Sequence, residues 1–332
     1  MRLYKILLIV SILFFAGCLP SDPDYNFEYE SIISEFPVNL VKLNSEYDDY
    51  NLNLPYPAAR SEIYYSTNRN SSGGNFDIIY KTFDISYHKK DDVINFSFPE
   101  TSYYTSFQEK LFALINKESN EFGPYTLNGP QGWDYFFYAN NESGDFDIKL
   151  VYTPRLDWGT YNGQERLSGP VTLNAINSDN DDLYPTINED RSKIYFCSNR
   201  ENNLFKIYSA NITPESLLHE SLVSQNPLTL TKEAVLSGPT NDKCPSITVN
   251  LLVFTSDRPG GFGGYDLYYS LYQNDKWSAP VNFGSKINSA YDEYRPITFT
   301  FAGNDLMIFS SNRPGGKGGY DLYGVEIADL IY

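Results

Sequence analysis

One unit recurs five times along this chain, and that repetition limits the folds open to it more than any other property. Its clearest copy is Leu252-Val-Phe-Thr-Ser-Asp-Arg258-Pro-Gly-Gly-Phe-Gly-Gly-Tyr-Asp266-Leu-Tyr268, matched by Met307-Ile-Phe-Ser-Ser-Asn-Arg313-Pro-Gly-Gly-Lys-Gly-Gly-Tyr-Asp321-Leu-Tyr323. Looser copies join Ile63 to Arg69 with Phe76-Asp77-Ile78, Tyr135 to Asn141 with Phe146-Asp147-Ile148, and Ile194 to Arg200 with Phe205-Lys206-Ile207.

A second element precedes each copy. It opens with Leu or Ile, usually followed by Asn, carries an acid six residues on, and mostly reaches Pro three residues later. The copies are Leu43-Asn44 with Asp49, Ile115-Asn116 with Glu121 and Pro124, Ile176-Asn177 with Asp182 and Pro185, Leu236-Ser237 with Asp242 and Pro245, and Ile287-Asn288 with Glu293 and Pro296. Their spacing suits four-stranded blades with insertions.

Each unit reads as strands. An apolar stretch such as Ile297 to Phe301 follows the acid as the innermost strand, then the run from Met307 to Ser310, a Gly-rich turn, and the run from Tyr320 to Ile327. Outer strands show in Pro170-Val-Thr-Leu173 and Pro280-Val-Asn-Phe283. The glycines suit a hairpin that needs positive φ. Pro37-Val-Asn-Leu40 reads as one more outer strand, free to complete the last blade. The expected fold is therefore all-β: a five-bladed β-propeller of four-stranded blades, closed by the N-terminal strand. The extra length before Ile115 reads as an insertion around Lys89 to Gln108, and residues 213–222 read as a short helix on the rim of blade three.

Composition agrees with strands. The 332 residues include 29 Tyr and 22 Phe against 2 Met, a bias toward half-buried β-structure. A net charge of -17 argues against nucleic acid, since no basic stripe is present to neutralise phosphates. At the N-terminus, Arg2 and Lys5 precede an apolar run from Ile6 to Phe15, then Ala16-Gly17-Cys18. This pattern is that of a signal peptide ending at a lipidation site. Residues 1–17 are thus expected to be a signal peptide, 18–36 a linker with lipid on Cys18, and 37–332 the propeller. The expected location is the outer membrane, facing the periplasm or the surface, with the lipid as membrane contact. Cys197 and Cys244 would then sit where a disulfide is permitted, though spacing alone does not say whether they pair.

The Ser-Asn-Arg, Pro-Gly-Gly and Tyr-Asp-Leu-Tyr elements resemble the WD40-like repeats of TolB-type β-propellers, and the likeness covers residues 37–332. The resemblance implies a cell-envelope protein of a Gram-negative bacterium.

The repeated charges admit two readings. Arg69 and Asp77, Arg258 and Asp266, and Arg313 and Asp321 lie eight residues apart across one hairpin, a spacing suited to an Arg–carboxylate clasp. Asp147 keeps only the acid and Arg200 only the base, with Asp182 available to Arg200. Asp49, Glu121, Asp182, Asp242 and Glu293 are expected beside them at one mouth of the channel, as internal clasps or as a polar ring that receives a ligand.

The Gly-rich turns fit neither a calcium nonapeptide, whose Asp falls one place earlier, nor a phosphate loop, which needs Gly-Lys-Ser/Thr and a helix. Tyr265, Tyr320, Trp158 and Trp277 are aromatic candidates for sugar stacking or for packing between blades. His88 and His219 are the only histidines, too few for a multi-histidine metal site, and neither metal nor cofactor is expected.

The regularity of the repeats favours a non-enzymatic binding or scaffold module for an envelope protein or a glycan, with no catalytic residues. The alternative is a glycan-active enzyme that uses carboxylates at the channel mouth.

Overall fold

The computed structural model describes residues 30–55, 57–99, 105–129, 132–154, 166–212, 218–224 and 226–327. Their strands form five sheets arranged as a five-bladed β-propeller. The expected signal peptide and Cys18 lie outside the described residues, as do Trp158 and the first part of the helix expected over 213–222. Among the described residues no helix is long and apolar enough to cross a membrane.

Each blade runs outward from the channel through antiparallel neighbours. Blade four, for example, orders Asp242–Thr248, Leu251–Ser256, Asp266–Gln273 and Val281–Asn282. The second strands are buried along most of their length, because blades stack on both of their faces. That explains apolar runs such as Met307-Ile-Phe309 where a half-solvated strand would alternate. Separate apolar clusters fill the gaps between blades: Tyr65 and Ile63 meet Leu306 and Ile308 at the junction of blades one and five, and Phe137 and Leu150 meet Ile194 and Phe196 between blades two and three.

The ring closes through the N-terminus. Val38 pairs with Gly324 and Asn39 with Tyr323, so Val38–Asn39 is the outer strand of the last blade. Each repeated Asn adds a link between blades by imitating a peptide group. Asn44 accepts from Leu322 N and donates to Leu322 O, and Asn288 does the same with Leu267.

Blade one departs from the expected plan. The stretch read as an insertion holds its outer strand, Val93–Ser97, and Ser31–Ile33, within the stretch read as linker, adds a fifth strand beside it. The helix Ser106–Ile115 buries Leu111 and Ile115 against Tyr64, Tyr80, Phe136 and Tyr138, and so seals the junction with blade two. Leu218–Val223 forms the short helix of blade three, where His219 stacks on Trp133 with ring centroids 4.2 Å apart.

Candidate functional site

All five inner strands break their ladder at the same place. The register shifts just after Tyr50, Phe122, Leu183, Lys243 and Tyr294, each the residue following a repeated acid. The next residue is left-handed in every blade: Asn51, Gly123, Tyr184, Cys244 and Arg295 have φ between 47° and 61°. A bulge re-aims side chains locally, and here it delivers residues from every blade to the channel. Pro follows in four blades, tolerated because the ladder is already interrupted.

Gly123 shows why one bulge position must lack a side chain. A Cβ there would stand 2.5 Å from the Tyr184 ring.

On one face the channel opens as a cavity of about 440 Å³, walled by Tyr50, Phe122, Leu183, Lys243 and Tyr294 together with Phe76, Phe146, Phe205, Tyr265 and Tyr320. The second set are the aromatics that immediately precede the hairpin Asp or its Lys206 equivalent. Each is fixed by the neighbouring blade. Asp48 accepts from Tyr320 N at 2.8 Å, Asp181 from Phe146 N at 3.0 Å and Asp292 from Tyr265 N at 2.9 Å, while Asn120 and Asn241 do the same for Phe76 and Phe205. The residue just before the repeated Arg locks that acceptor from behind, as Asn68 holds Asp48, Asn199 holds Asp181 and Asp257 holds Asn241.

The walls are apolar with few polar points. Tyr50 stacks on Tyr320 at 5.6 Å and Phe122 on Phe146 at 5.0 Å. Burial raises the phenols of Tyr50 and Tyr294 well above their ordinary range, so both remain neutral hydrogen-bond donors. Lys243 alone brings a cation, 4.1 Å from the centroid of Phe205 and 5.4 Å from that of Tyr265. Asp48 and Asp181 are the carboxylates on the cavity wall.

The expected mouth acids lie elsewhere. Asp49, Glu121, Asp182, Asp242 and Glu293 have no exposed surface, and none lines the cavity. Four of them are held by the arginine of their own blade: Arg69–Asp49, Arg200–Asp182 and Arg258–Asp242 at 2.5 Å, and Arg313–Glu293 at 2.8 Å. Each of those arginines also donates to the carbonyl that opens the upstream element, as Arg258 does to Leu236 O.

The hairpin pairs expected from the eight-residue spacing therefore do not form. The strand carrying Arg pairs on one side with the inner strand, and the guanidinium turns to the acid there. The hairpin carboxylates hold turns instead. Asp266 accepts from the N–H groups of Phe262 and Gly263 and from Asn282 Nδ2, Asp321 from those of Lys317 and Gly318 and from Asn39 Nδ2. Asp77 accepts from Asn70 and Asp147 from Ser143. Lys206 crosses to the next blade, donating to Gly238 O, with Asp242 Oδ2 at 3.9 Å.

Blade two lacks the arginine, and Asn141 stands in its place, accepting from Asn120 N. Glu121 has no guanidinium and accepts from Ser119 Oγ at 2.5 Å and from Lys117 N at 3.5 Å, and burial pushes its carboxyl up to about 7. The glycines of the turns serve close packing: a Cβ on Gly263 would collide with the backbone of Tyr291 and one on Gly318 with that of Tyr47, both in the next blade.

Of the four aromatic candidates, Tyr265 and Tyr320 line the cavity, while Trp277 is buried edge-on against Tyr195. Cys197 and Cys244 are free thiols, both buried in one cluster beneath the cavity. Among the described residues no group of three or more His, Cys, Asp or Glu could hold a metal ion. The ring of aromatics could have been found in the sequence, since Phe76, Phe146, Phe205, Tyr265 and Tyr320 occupy one repeat position.

The fold defines a class, the five-bladed propeller with an open channel mouth. No family model and no curated protein matches the chain. Among solved structures, the catalytic domain of Coprinopsis cinerea GH62 α-L-arabinofuranosidase is 12% identical with a TM-score of 0.51, over 90% of this chain and 96% of that one. The RS223 β-xylosidase is 10% identical with a TM-score of 0.50, over 87% and 94%. A further glycoside hydrolase is 10% identical with a TM-score of 0.50, over 90% and 91%.

At this identity the likeness establishes the shape. It overturns the expected kinship with TolB-type, WD40-like propellers, for which no family model matches and in whose place stand glycoside-acting propellers. The expectation of a non-enzymatic scaffold is corrected with it, since these similar structures are enzymes. The repeat signature misled because it encodes clasps and turns, which any propeller of this construction needs.

Proposed function

We propose that the protein is a glycan-active enzyme that seats a sugar chain in the aromatic funnel. The observation that carries this reading is the cavity itself: two rings of mostly aromatic side chains around about 440 Å³, with Asp48, Asp181 and Lys243 as polar points. Aromatic faces stack on the C–H faces of sugars, and a few convergent polar groups then set orientation. The shape shared with an arabinofuranosidase and a xylosidase supports the same reading.

Cleavage of a glycosidic bond uses two carboxylates, one as acid and one as base or nucleophile. Asp48 and Asp181 are the candidates, from blades one and three. The hydrogen bonds from Tyr320 N and Asn68 to Asp48, and from Phe146 N and Asn199 to Asp181, fix each carboxylate without a charged partner. Delivery to the envelope with lipid on Cys18 is part of the proposal, supported by the apolar run ahead of Ala16-Gly17-Cys18. Loss of palmitate labelling in Cys18→Ser checks that part.

The main test combines calorimetric binding of arabino- and xylo-oligosaccharides with assay of released reducing ends. Tyr50→Ala and Tyr320→Ala are expected to weaken binding by roughly tenfold each, a loss of the size of one stacking contact. Asp48→Asn and Asp181→Asn are expected to abolish turnover while binding persists. Failure of every oligosaccharide to bind would sink the proposal, and binding without turnover would remove its enzymatic half.

A further inference from the structure

Below the funnel, the bulge residues of the five blades meet at one level of the channel: Asn51, Gly123, Tyr184, Cys244 and Arg295. Arg295 is 2% exposed, among the largest buried side chains of the molecule. Its guanidinium lies 5.2 Å from the centroid of the Tyr184 ring, and Nη1 donates to Pro245 O at 3.3 Å. Nε has no acceptor. The ionisable groups that act most on its charge are Cys244, Tyr184, Cys197 and Tyr125, thiols and phenols with no carboxylate among them. The four clasp arginines each have an acid, so this one stands apart. In the adjacent blade at the same bulge position, both amide atoms of buried Asn51 also lack partners.

Arg295 faces a second cavity, of about 520 Å³, at the channel mouth opposite the funnel. Asn53, Thr126, Thr186 and Thr298 line it as well with amides and hydroxyls, and Glu189 and Arg191 add one charge of each sign to its wall. A buried guanidinium without a counter-ion is costly, and a carboxylate is the planar acceptor that matches its fork.

We infer that this opposite mouth is an anion site that takes a carboxylate on Arg295. The carboxylate is either a small free acid or the acid group of a sugar, and the site is independent of the funnel. The full chain is titrated calorimetrically with sodium acetate and with sodium galacturonate, using sodium chloride for ionic-strength control. Saturable binding of either carboxylate beyond the chloride response is expected. Acetate and galacturonate binding alike assigns a free-acid site, and galacturonate alone assigns a sugar acid.

Arg295→Met is expected to weaken that binding by roughly tenfold or more, the worth of a charged hydrogen bond, while Tyr50→Ala in the funnel leaves it unchanged. Should the methionine variant not fold, Arg295→Lys serves: it keeps the charge but loses the planar fork, and is expected to weaken binding of both carboxylates. Absence of any saturable response in the wild-type chain, a response to chloride alone, or undiminished binding in the folded Arg295→Met or Arg295→Lys variant overturns the inference.

Discussion

Arg258 Nη2 stands 2.5 Å from Asp242 Oδ1, joining the end of one strand to the start of its neighbour, with the carboxylate fully buried and the guanidinium 16% exposed. Ser256 Oγ donates to the same carboxylate oxygen and accepts from Arg258 Nε, and Gly238 N donates to the other. Removing one partner of such a pair strands the other charge in a poorly solvated place. Asp242→Ala is therefore expected to cost roughly 3–5 kcal/mol, read from urea unfolding. A loss below about 1 kcal/mol, the scale of an exposed pair, would show that the clasp is not what holds the blade.

Glu121 predicts a pH dependence of opposite origin. Burial raises its folded-state pKa to about 7, above the unfolded value of about 4.3. The folded chain then binds more protons than the unfolded one between those values, so stability falls as pH rises through the window and levels off above it. The contribution at stake is at most about 4 kcal/mol. Comparing Glu121→Gln with wild type at pH 5 and pH 8 is expected to show the variant gaining relative stability at the higher pH. A constant difference would refute this account. Asn141→Arg, which supplies the guanidinium of the other blades, is expected to flatten the slope.

Gly123 and Tyr184 share too little space for a methyl group. Gly123→Ala places a Cβ 2.5 Å from the ring and at φ +58°. Strain at a left-handed position and overpacking together predict a loss of about 2–4 kcal/mol, with the melting temperature as the readout. An unchanged melting temperature would mean that the channel is looser than drawn.

Cys197 and Cys244 predict a silent thiol titration. Both are buried, and burial pushes the Cys244 thiol up to about 12 and raises that of Cys197 as well. Neither should react with a thiol reagent at pH 8 until the chain unfolds, when two further thiols titrate. Fast reaction of the native protein would contradict their placement.

Much of the architecture was legible in the chain. The five upstream acid elements, the five apolar second strands and Pro37-Val-Asn-Leu40 sufficed for the blade number and the closure, because strand patterning and turn chemistry are local properties repeated at each blade. Val93–Ser97 escaped, since blade one puts a helix where the other blades place their outer strand. The candidate site was harder to see. Arg69 and Asp77 are eight residues apart and fall on one hairpin, yet Arg69 pairs with Asp49, twenty residues upstream.

Local spacing thus decided which residues recur, whereas packing decided what they touch. A guanidinium is attracted equally by any nearby carboxylate, and only the lateral order of the strands brings Asp49 close to Arg69 and leaves Asp77 to Asn70. The same holds for the channel. Arg295 and Asn51 are ordinary polar residues until five bulges turn them inward, because burial and the lack of a partner are properties of the assembled ring.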